Sequence, residues 1–384
     1  MTEQDSVPNK PFVFGFVVDG DKFTDRESEQ AELRSAFVHG QNVILISPRR
    51  YGKTSLVKLV LKQLPSKTHA AVFVDLFKVS SKQRLLNIYS KALSASLSNR
   101  FEEILQLIKE WIPALTPKIV FTADQAPEMG IEFNERQTNM DELIDKLWAL
   151  PEYIAKKKKK HIVVVFDEFQ DILALEDPSL LKRLRAVIQH QKHVSYCFMG
   201  SKRHMIEDIF LNAKNPLYHC GKVMTLDKIL PAKLENFIAG QFVSAKIKIA
   251  PALCAHMTQL CHGHIYFVQM LGFETWERAR GHKQVTSQHI DQAITHILHS
   301  QQVYFSSLWD RLSAKQKNLI LAILLQGHSK LQNIQLLNQY DLGSATGVSK
   351  NLKALESQEM LEKQGADYTF ANPFFPLWLR REIV

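Results

Sequence analysis

The sequence predicts an α/β protein, in which a parallel sheet carries helices on both faces and is followed by smaller helical domains. Three observations predict this class. Short apolar runs alternate with stretches of helical periodicity up to about residue 230, which is typical of a parallel sheet with helical crossovers. From Pro231 to about residue 310 the periodicity is helical throughout. The last part combines helices with two short strand-like pieces.

The predicted elements of the first part alternate between helix and strand. In order they are a helix through Leu33 and Phe37, strands over 42–46 and 69–77, helices over 82–110, a hairpin of 118–122 and 130–134, a helix over 140–156, a strand over 161–166, a helix over 178–190, and strands over 194–199 and 223–226. The run at 161–166 is continuously apolar, as expected of a central parallel strand that is buried on both faces.

The last part predicts a winged helix. It has helices over 313–325 and 331–339, a third helix capped by Ser344, and strand-like pieces at 361–363 and 368–370. The aromatic closing segment, with Phe374, Phe375 and Trp378, is expected to bury itself against the sheet-containing core. The predicted domains are residues 1–230, 231–310 and 311–384.

The composition is that of an ordinary globular protein. Of 384 residues, 45% are hydrophobic and 23% are charged, so the chain can fill a sizeable core. Apolar runs stay below the roughly 20 residues that span a bilayer, and the N-terminus lacks the basic start and apolar core of a signal peptide. The four cysteines form no C-x-x-C pair. The expectation is a cytoplasmic protein with reduced thiols and no membrane partner.

The formal net charge of +9 has two interpretations that the sequence leaves open. It is either an electrostatic footprint for a polyanion such as DNA, or a solvated surface with an excess of lysines. The densest block, Lys156 to Lys160, is expected to be an exposed helix end, because the helix dipole favours cations there.

The segment 42–55 has the pattern of a phosphate-binding loop. An apolar run turns into Gly52-Lys53-Thr54, where a helix is expected to begin. The backbone N–H groups of such a loop and the positive end of the helix dipole attract an anion. Lys53 is predicted to reach the β- and γ-phosphates, and the Thr54 hydroxyl to ligate Mg²⁺. Ser47 stands where the pattern has its first glycine, which a serine can replace only if its φ is negative.

A pair of acids follows the apolar run at 161–166. Asp167 and Glu168 come at the carboxyl end of this predicted strand, which is where open α/β sheets bind their ligands. Asp167 is predicted to hold Mg²⁺ through water. Glu168 is predicted to orient or deprotonate the attacking water, a role that contributes about 10²–10⁴-fold. Acids also cap helices, but the combination with the loop, in this order, indicates a nucleotide site.

Five segments of the sequence carry recognisable motifs. They are Phe23…Arg26-Glu27, Ser47-Pro-Arg-Arg-Tyr-Gly-Lys-Thr-Ser55, Asp167-Glu-Phe-Gln170, Gly200-Ser-Lys-Arg-His204 and the tail Asn372-Pro-Phe-Phe-Pro-Leu-Trp-Leu379. Together they resemble the prokaryotic "archaeal ATPase" family, which belongs to the AAA+-related STAND class of P-loop ATPases. The resemblance covers nearly the whole chain. It implies a P-loop NTPase sheet with helices on both faces, a helical lid and a winged-helix domain.

The resemblance also implies which residues act. By position, Lys53, Glu168 and Ser201 match catalytic groups, with Ser201 in the region that senses the γ-phosphate. Thr54 and Asp167 match the Mg²⁺ contacts. The nucleotide contacts correspond to Ser47, Pro48, Arg49, Arg50, Tyr51, Gly52, Lys53, Thr54, Ser55 and His264. Three alternatives stay open. Ser201 also fits a helix cap, His264 also fits the packed core, and Arg49 and Arg50 also fit solvated loop arginines or partners of acids on a neighbouring element.

Two further positions depart from the family's pattern. Asp25 stands where the family commonly has glycine, so the adenine-side contacts of that segment are open. Ile265 takes the place of a proline in a Gly-His-Pro-Tyr motif of the lid.

Three functions remain open at this stage. The leading hypothesis is a switch that binds Mg-ATP and hydrolyses it to ADP and phosphate, moving the lid and winged helix. The second is a DNA-binding AAA+ protein that resembles archaeal replication initiators, with DNA against the helix that carries Lys350 and Lys353. The third is a nucleotide-bound scaffold that does not hydrolyse, which Glu168 argues against. A partner protein or self-association is expected but not identified.

Overall fold

The structure is a computed structural model. It describes residues 10–16, 25–97, 101–113, 115–121, 127–133, 139–327, 331–365 and 367–384. The chain divides into two compact units, residues 17–228 and residues 229–384, and the second unit also includes the described residues 10–16. The three-domain division with its boundaries stays a prediction. Phe23, Thr122 and Asn134, which the sequence analysis names or includes, lie outside the described residues.

The first unit alternates strands with helices. Its strands are β1 (Val43–Ile46), β2 (His69–Asp75), β3 (Leu115–Phe121), β4 (Pro127–Phe133), β5 (His161–Asp167), β6 (Val194–Gly200) and β7 (Lys222–Thr225). Its helices are α1 (Glu27–Val38), α2 (Lys53–Lys62), α3 (Lys82–Leu97), α4 (Phe101–Trp111), α5 (Met140–Lys158), α6 (Ser179–Ile188) and α7 (Arg203–Leu211). A 3₁₀ helix at Phe169–Leu175 follows β5.

Five of these strands form one sheet in the order β2-β5-β6-β1-β7. Every neighbouring pair in it is parallel, which confirms the predicted parallel sheet. Strand β1, which leads into the phosphate-binding loop, pairs with β6 and β7. Strand β5, which ends in the acids, pairs with β2 and β6. One strand, β6, therefore separates the two strands that lead into the predicted site.

Both faces of the sheet are covered by packed helices. Along β1 the residues Val43 and Leu45 belong to one hydrophobic cluster, whereas Ile44 and Ile46 belong to the other. Each cluster also contains residues of the surrounding helices. Because successive side chains of a strand point to opposite faces, this division shows why the strands read as continuous apolar runs.

The predicted hairpin forms a small antiparallel sheet of its own. Strand β3 pairs with β4, with Leu115 opposite Phe133 and Phe121 opposite Pro127. Both strands begin three residues earlier than the sequence indicated. Residues 122–126 between the strands lie outside the described part.

The second unit is helical apart from one hairpin in its described part. Its helices are α8 (Pro231–Ser244), α9 (Pro251–Leu260), α10 (Ile265–Ala279), α11 (Ser287–Ser300), α12 (Gln302–Asp310), α13 (Ala314–Gln326), α14 (Ile334–Gln339), α15 (Ala345–Ser357) and α16 (Phe374–Glu382). Its strands are β8 (Leu361–Gln364) and β9 (Asp367–Phe370), which pair antiparallel.

Helices α13, α14 and α15 with the β8–β9 hairpin form the predicted winged helix. The predicted cap is present, since the Ser344 hydroxyl accepts a hydrogen bond of 3.1 Å from the Gly347 N–H at the start of α15. Ser313 caps α13 in the same way and exchanges a second hydrogen bond with Gln316. Such caps satisfy backbone N–H groups that the helix itself leaves without partners.

The expected position of the aromatic tail was wrong. The Phe374 ring lies 5.8 Å from that of Phe267 on α10, and the rings of Phe375 and Trp378 lie 5.6 and 5.9 Å from that of Phe305 on α12. The tail is thus buried within the second unit and not in the sheet-containing core. The physical reason is that the tail helix α16 packs against α11 and α12 of the same unit, which brings its aromatic rings into the hydrophobic core of that unit.

No helix among the described residues is both long enough and apolar enough to cross a membrane.

Candidate functional site

The phosphate-binding loop connects the buried strand β1 to α2, which begins at Lys53 as predicted. Its first residue, Ser47, is fully buried and its hydroxyl donates to the Pro48 carbonyl over 3.1 Å. Ser47 is not among the residues with positive φ. A glycine is therefore not required there, which removes the physical objection to the serine.

The left-handed conformations of the loop occur further along. Arg50 has a φ of 69° and Gly52 a φ of 83°. A Cβ at position 52 would have open space around it, so the backbone conformation explains the glycine. At Arg50 the same conformation costs energy, since L-residues with a Cβ rarely adopt it. Such strain at a ligand loop is a feature of functional sites.

The structure brings the loop residues and the acids together. The Thr54 hydroxyl donates to Asp167 Oδ2 over 2.9 Å. Lys53 Nζ lies 3.5 Å from Asp167 Oδ1 and 3.5 Å from Glu168 Oε1. Lys53 and Asp167 are only 7% and 8% exposed, so their charges act on each other with little screening by solvent.

Ser201 follows β6 and contacts Glu168 twice. Its hydroxyl donates to Glu168 Oε2 over 2.7 Å and its backbone N–H donates to the same oxygen over 3.1 Å. Arg49 Nε donates to the Ser201 hydroxyl over 3.4 Å. Ser201 therefore links the end of β6 to both the loop and the acid. The helix α7 that follows has no side-chain cap, and a sensing role of Ser201 stays a prediction.

Glu168 is held in its ionised form. Burial raises the pKa of this carboxyl, but the Lys53 ammonium and hydrogen bonds from Gln170 and Ser201 outweigh it, so the pKa lies below its ordinary value. Its backbone is also unusual, with a φ of 49° at the start of the 3₁₀ helix. The side chain is thus available as a base at neutral pH.

His264 lies in the second unit, at the start of α10. Its side chain is buried, with Nε2 3.6 Å from Glu362 Oε2 and its ring against Phe267. The core-packing alternative therefore describes its surroundings within this unit. Its contact with nucleotide stays a prediction. The same holds for the nucleotide contacts of Pro48, Tyr51 and Ser55.

Sequence reasoning missed the part played by Arg26. This arginine is buried, with a φ of 75°, at the start of α1. Its guanidinium donates to the Tyr51 carbonyl in the loop over 3.5 Å and to the Asp227 carbonyl after β7 over 2.5 Å. It also pairs with Glu29 at 2.8 Å. Arg26 thereby ties the loop to two distant segments, and no spacing in the sequence indicates these backbone partners.

Gln170 was also missed. It is fully buried beside Glu168, with Nε2 2.6 Å from Glu168 Oε2. Gly200, the last residue of β6, lies against it, since a Cβ there would come within 2.2 Å of Gln170 Oε1. The sequence signal was the Asp-Glu-Phe-Gln motif, which identifies the residue without its role.

A parallel sheet of this order, with a lysine-bearing loop and strand-end acids that meet, defines a P-loop ATPase fold. Residues 23–252 match a family model described as an ATPase domain predominantly from Archaea, and residues 303–381 match a probable winged helix domain. The chain belongs to this archaeal-type ATPase family. A comparison with curated proteins finds no match.

Solved structures share the fold over nearly the full length. The Walker-type ATPase PABY2304 of Pyrococcus abyssi has a TM-score of 0.65 at 15% identity, covering 94% of this chain and 97% of that chain. The ORC2 protein of Aeropyrum pernix, in ADPNP–ADP complexes, has a TM-score of 0.61 at 13% identity, covering 97% of both chains. The ORC1 protein of Aeropyrum pernix, in complex with DNA, has a TM-score of 0.50 at 15% identity and 94% coverage of both.

Proposed function

We propose that this protein binds Mg-ATP and hydrolyses it to ADP and phosphate, acting as a nucleotide-dependent conformational switch. The observation that carries the proposal is the meeting of Thr54 with Asp167, 113 residues apart in sequence, at 2.9 Å. Lys53 lies beside the same acid and beside Glu168. The groups that we propose as phosphate ligand, metal ligand and general base therefore lie close together, which supports the proposal.

The loop supplies the attraction for phosphate. Its backbone N–H groups and the N-terminus of α2 carry partial positive charge, and Lys53 adds a full one at the first residue of that helix. Arg49, whose guanidinium donates to the Ser201 hydroxyl, adds a second cation to the phosphate-binding loop. Polyphosphate is the class of ligand that this concentration of donors favours.

The donor set beside the loop fits Mg²⁺. Thr54 offers a hydroxyl and Asp167 a carboxylate, and Mg²⁺ prefers a few oxygen ligands completed by water and substrate phosphates. Thr54 and Asp167 would hold the ion, which when bound neutralises charge on the phosphates. Glu168 would orient the attacking water and accept its proton, because it is ionised at neutral pH.

The first test is metal dependence in the full-length wild-type chain. We expect phosphate release from ATP in the presence of Mg²⁺, loss of release when EDTA is added, and recovery when excess Mg²⁺ is restored. Binding of ATP is measured in parallel by calorimetry. Undiminished release in EDTA would contradict the metal proposal. ATP binding without any phosphate release in Mg²⁺ would instead support the non-hydrolysing scaffold.

The output of the switch is part of the proposal. An ATPase domain and a winged helix occur in one chain, so the nucleotide cycle has a candidate element to move. We propose that hydrolysis changes the disposition of the helical lid and winged helix. A partner protein or a second copy of the chain would read this change.

DNA is the second candidate ligand, through the winged helix. The third helix of that domain, α15, exposes Lys350 and Lys353, and the chain carries a net charge of +9. The ORC1 protein of similar fold was solved in complex with DNA. Glu356, exposed on the same helix, opposes the attraction. The lysines are suited to phosphate contacts, which provide affinity without sequence specificity.

A salt titration tests the DNA proposal. Binding to a duplex should weaken steeply with salt, and Lys350→Ala/Lys353→Ala should reduce the slope of log K against log salt by about 2, since each phosphate contact contributes about 0.9. Lys248→Ala/Lys283→Ala removes the same charge from other exposed positions of the second unit and should leave the slope unchanged. Equal effects of both pairs, or no binding at low salt, would remove α15 as a DNA site.

A further inference from the structure

Gln170 lies two residues after the predicted base and faces it. Its side chain is only 1% exposed, and its Nε2 donates to Glu168 Oε2 over 2.6 Å. The 3₁₀ helix that begins at Phe169 turns the chain back, so that the amide reaches the carboxylate. A short hydrogen bond from a buried amide to a carboxylate fixes the orientation of both groups.

The two oxygens of Glu168 have different surroundings. Oε2 accepts from Gln170 Nε2 at 2.6 Å, from the Ser201 hydroxyl at 2.7 Å and from the Ser201 N–H at 3.1 Å. A carboxylate oxygen offers about two lone pairs, so three donors saturate Oε2. Oε1 instead lies 3.5 Å from Lys53 Nζ. Of the two oxygens, Oε1 is the one with capacity for a further donor such as water.

The surroundings of the amide indicate that it is kept for its donor. Gln170 Oε1 is buried without a hydrogen-bond partner, an arrangement that costs stability. Rotating the amide would place this oxygen against the Glu168 carboxylate, which is repulsive, so the orientation is settled by its contacts. An apolar side chain of similar volume would fill the space without that cost.

Gly200 provides the space for this arrangement. A Cβ at this position would come within 2.2 Å of Gln170 Oε1 and 2.5 Å of the Ile206 side chain. The end of β6 therefore contributes twice to the same carboxylate. Gly200 admits the amide of Gln170, and the next residue, Ser201, supplies two donors.

We propose that Gln170 is a positioning residue, which together with Ser201 anchors Glu168 through Oε2 and leaves Oε1 to meet the attacking water. This inference rests on the proposed function, in which Glu168 is the base. The amide of Gln170 donates to Glu168 and, over 3.5 Å, to Asp171 Oδ1, so its hydrogen bonds go to these acids and not to the predicted metal ligands Thr54 and Asp167. Its loss is therefore expected to slow the chemical step, while ATP binding stays as it is.

The test is Gln170→Met, which keeps an unbranched side chain of similar volume and removes the donor. Turnover at neutral pH should fall about tenfold, a part of the about 10²–10⁴-fold that a general base contributes. The loss should appear in kcat and not in the affinity for ATP, because the hydrogen bonds of the Gln170 amide go to Glu168 and Asp171.

Binding and stability measurements separate positioning from packing. The Kd for ATP should stay within about twofold of wild type, because no loop contact changes, and the melting temperature should be unchanged or higher because an unpaired buried oxygen is lost. Gln189→Met, at an exposed glutamine, should match wild type throughout. Gln170→Leu, which also lacks the donor, should reproduce the kinetic effect if the methionine variant folds poorly.

These outcomes distinguish the positioning role of Gln170 from the assignment of Glu168 as the base. A lower melting temperature together with a weaker Kd for ATP would show a packing role and overturn the inference. Unchanged kcat in both Gln170 variants would do the same. If Glu168→Gln also retained full turnover, the base assignment itself would fail. If Glu168→Gln were inactive and the Gln170 variants normal, only the positioning role would be lost.

Discussion

Lys53→Ala should weaken ATP binding by about 100-fold or more. Lys53 is the first residue of α2 and is only 7% exposed. Its ammonium would meet the phosphates near the positive end of the helix dipole. A charge pair about 4 Å apart at an effective dielectric constant of about 20 interacts by about 4 kcal/mol. Part of this energy is offset by desolvation, so about 100-fold is the expected lower limit in Kd measured by calorimetry.

The matched control for this prediction is Lys62→Ala, at the other end of the same helix. It removes the same charge from an exposed position and should bind ATP like wild type. Thermal unfolding has to accompany the measurement, since Lys53 also neutralises Asp167 and Glu168. A folded Lys53→Ala protein that binds ATP within about threefold of wild type would contradict the phosphate-binding assignment.

Glu168→Gln should keep ATP binding and lose turnover by about 10²–10⁴-fold, the contribution expected of a general base. The substitution keeps the shape of the side chain. Its amide carbonyl can still accept from Ser201 and Gln170, which now donate to Glu168 Oε2. What disappears is the oxygen that takes a proton from water. The measurement is single-turnover phosphate release, with ATP affinity determined on the same preparation.

Glu176→Gln is the control for this variant. Glu176 is an exposed residue at the end of the same 3₁₀ helix, so it tests loss of one carboxylate near the site without loss of the base. Normal turnover is expected there. Equal turnover in wild type, Lys53→Ala and Glu168→Gln would rule out this site as the origin of any hydrolysis.

The sequence was sufficient for the elements and for the pairing of loop with acids. The runs at β1 and β5 are apolar throughout because both faces of each strand are buried, and each ends in residues whose chemistry is specific. The rule that open α/β sheets bind ligands at the carboxyl ends of their strands assigned Thr54 and Asp167 to one predicted Mg²⁺ site. Their direct hydrogen bond is a finding of the structure. These predictions depend on local sequence patterns.

Other features depend on tertiary context that local patterns do not contain. The partners of Arg26 are backbone carbonyls, which every residue has, so no residue type marks them. The role of Gln170 depends on the missing side chain of Gly200, 30 positions away. The position of the aromatic tail was predicted wrongly because hydrophobicity indicates that a segment is buried but not which helices it packs against.

Backbone conformation explains why Ser47 and Asp25, which depart from the pattern of the family, are both tolerated. Ser47 does not need the freedom of glycine, since its φ is not positive. Asp25, in a position where the resembling family commonly has glycine, has a φ of 56°. Aspartate is among the residues that tolerate this left-handed region. The substitutions are thus acceptable for opposite reasons, and only backbone angles distinguish them.

The position of β6 constrains how this site can evolve. The loop and the acids belong to strands that are not neighbours, and β6 fills the gap between them. The side chains of Lys53 and Asp167 nevertheless meet, with Lys53 Nζ 3.5 Å from Asp167 Oδ1, so the spacing set by β6 is one that these side chains bridge. A shift of β6 by even part of a residue would change the separation of loop and acid. We infer that substitutions which alter the packing of β6 will act on nucleotide turnover without touching the nucleotide.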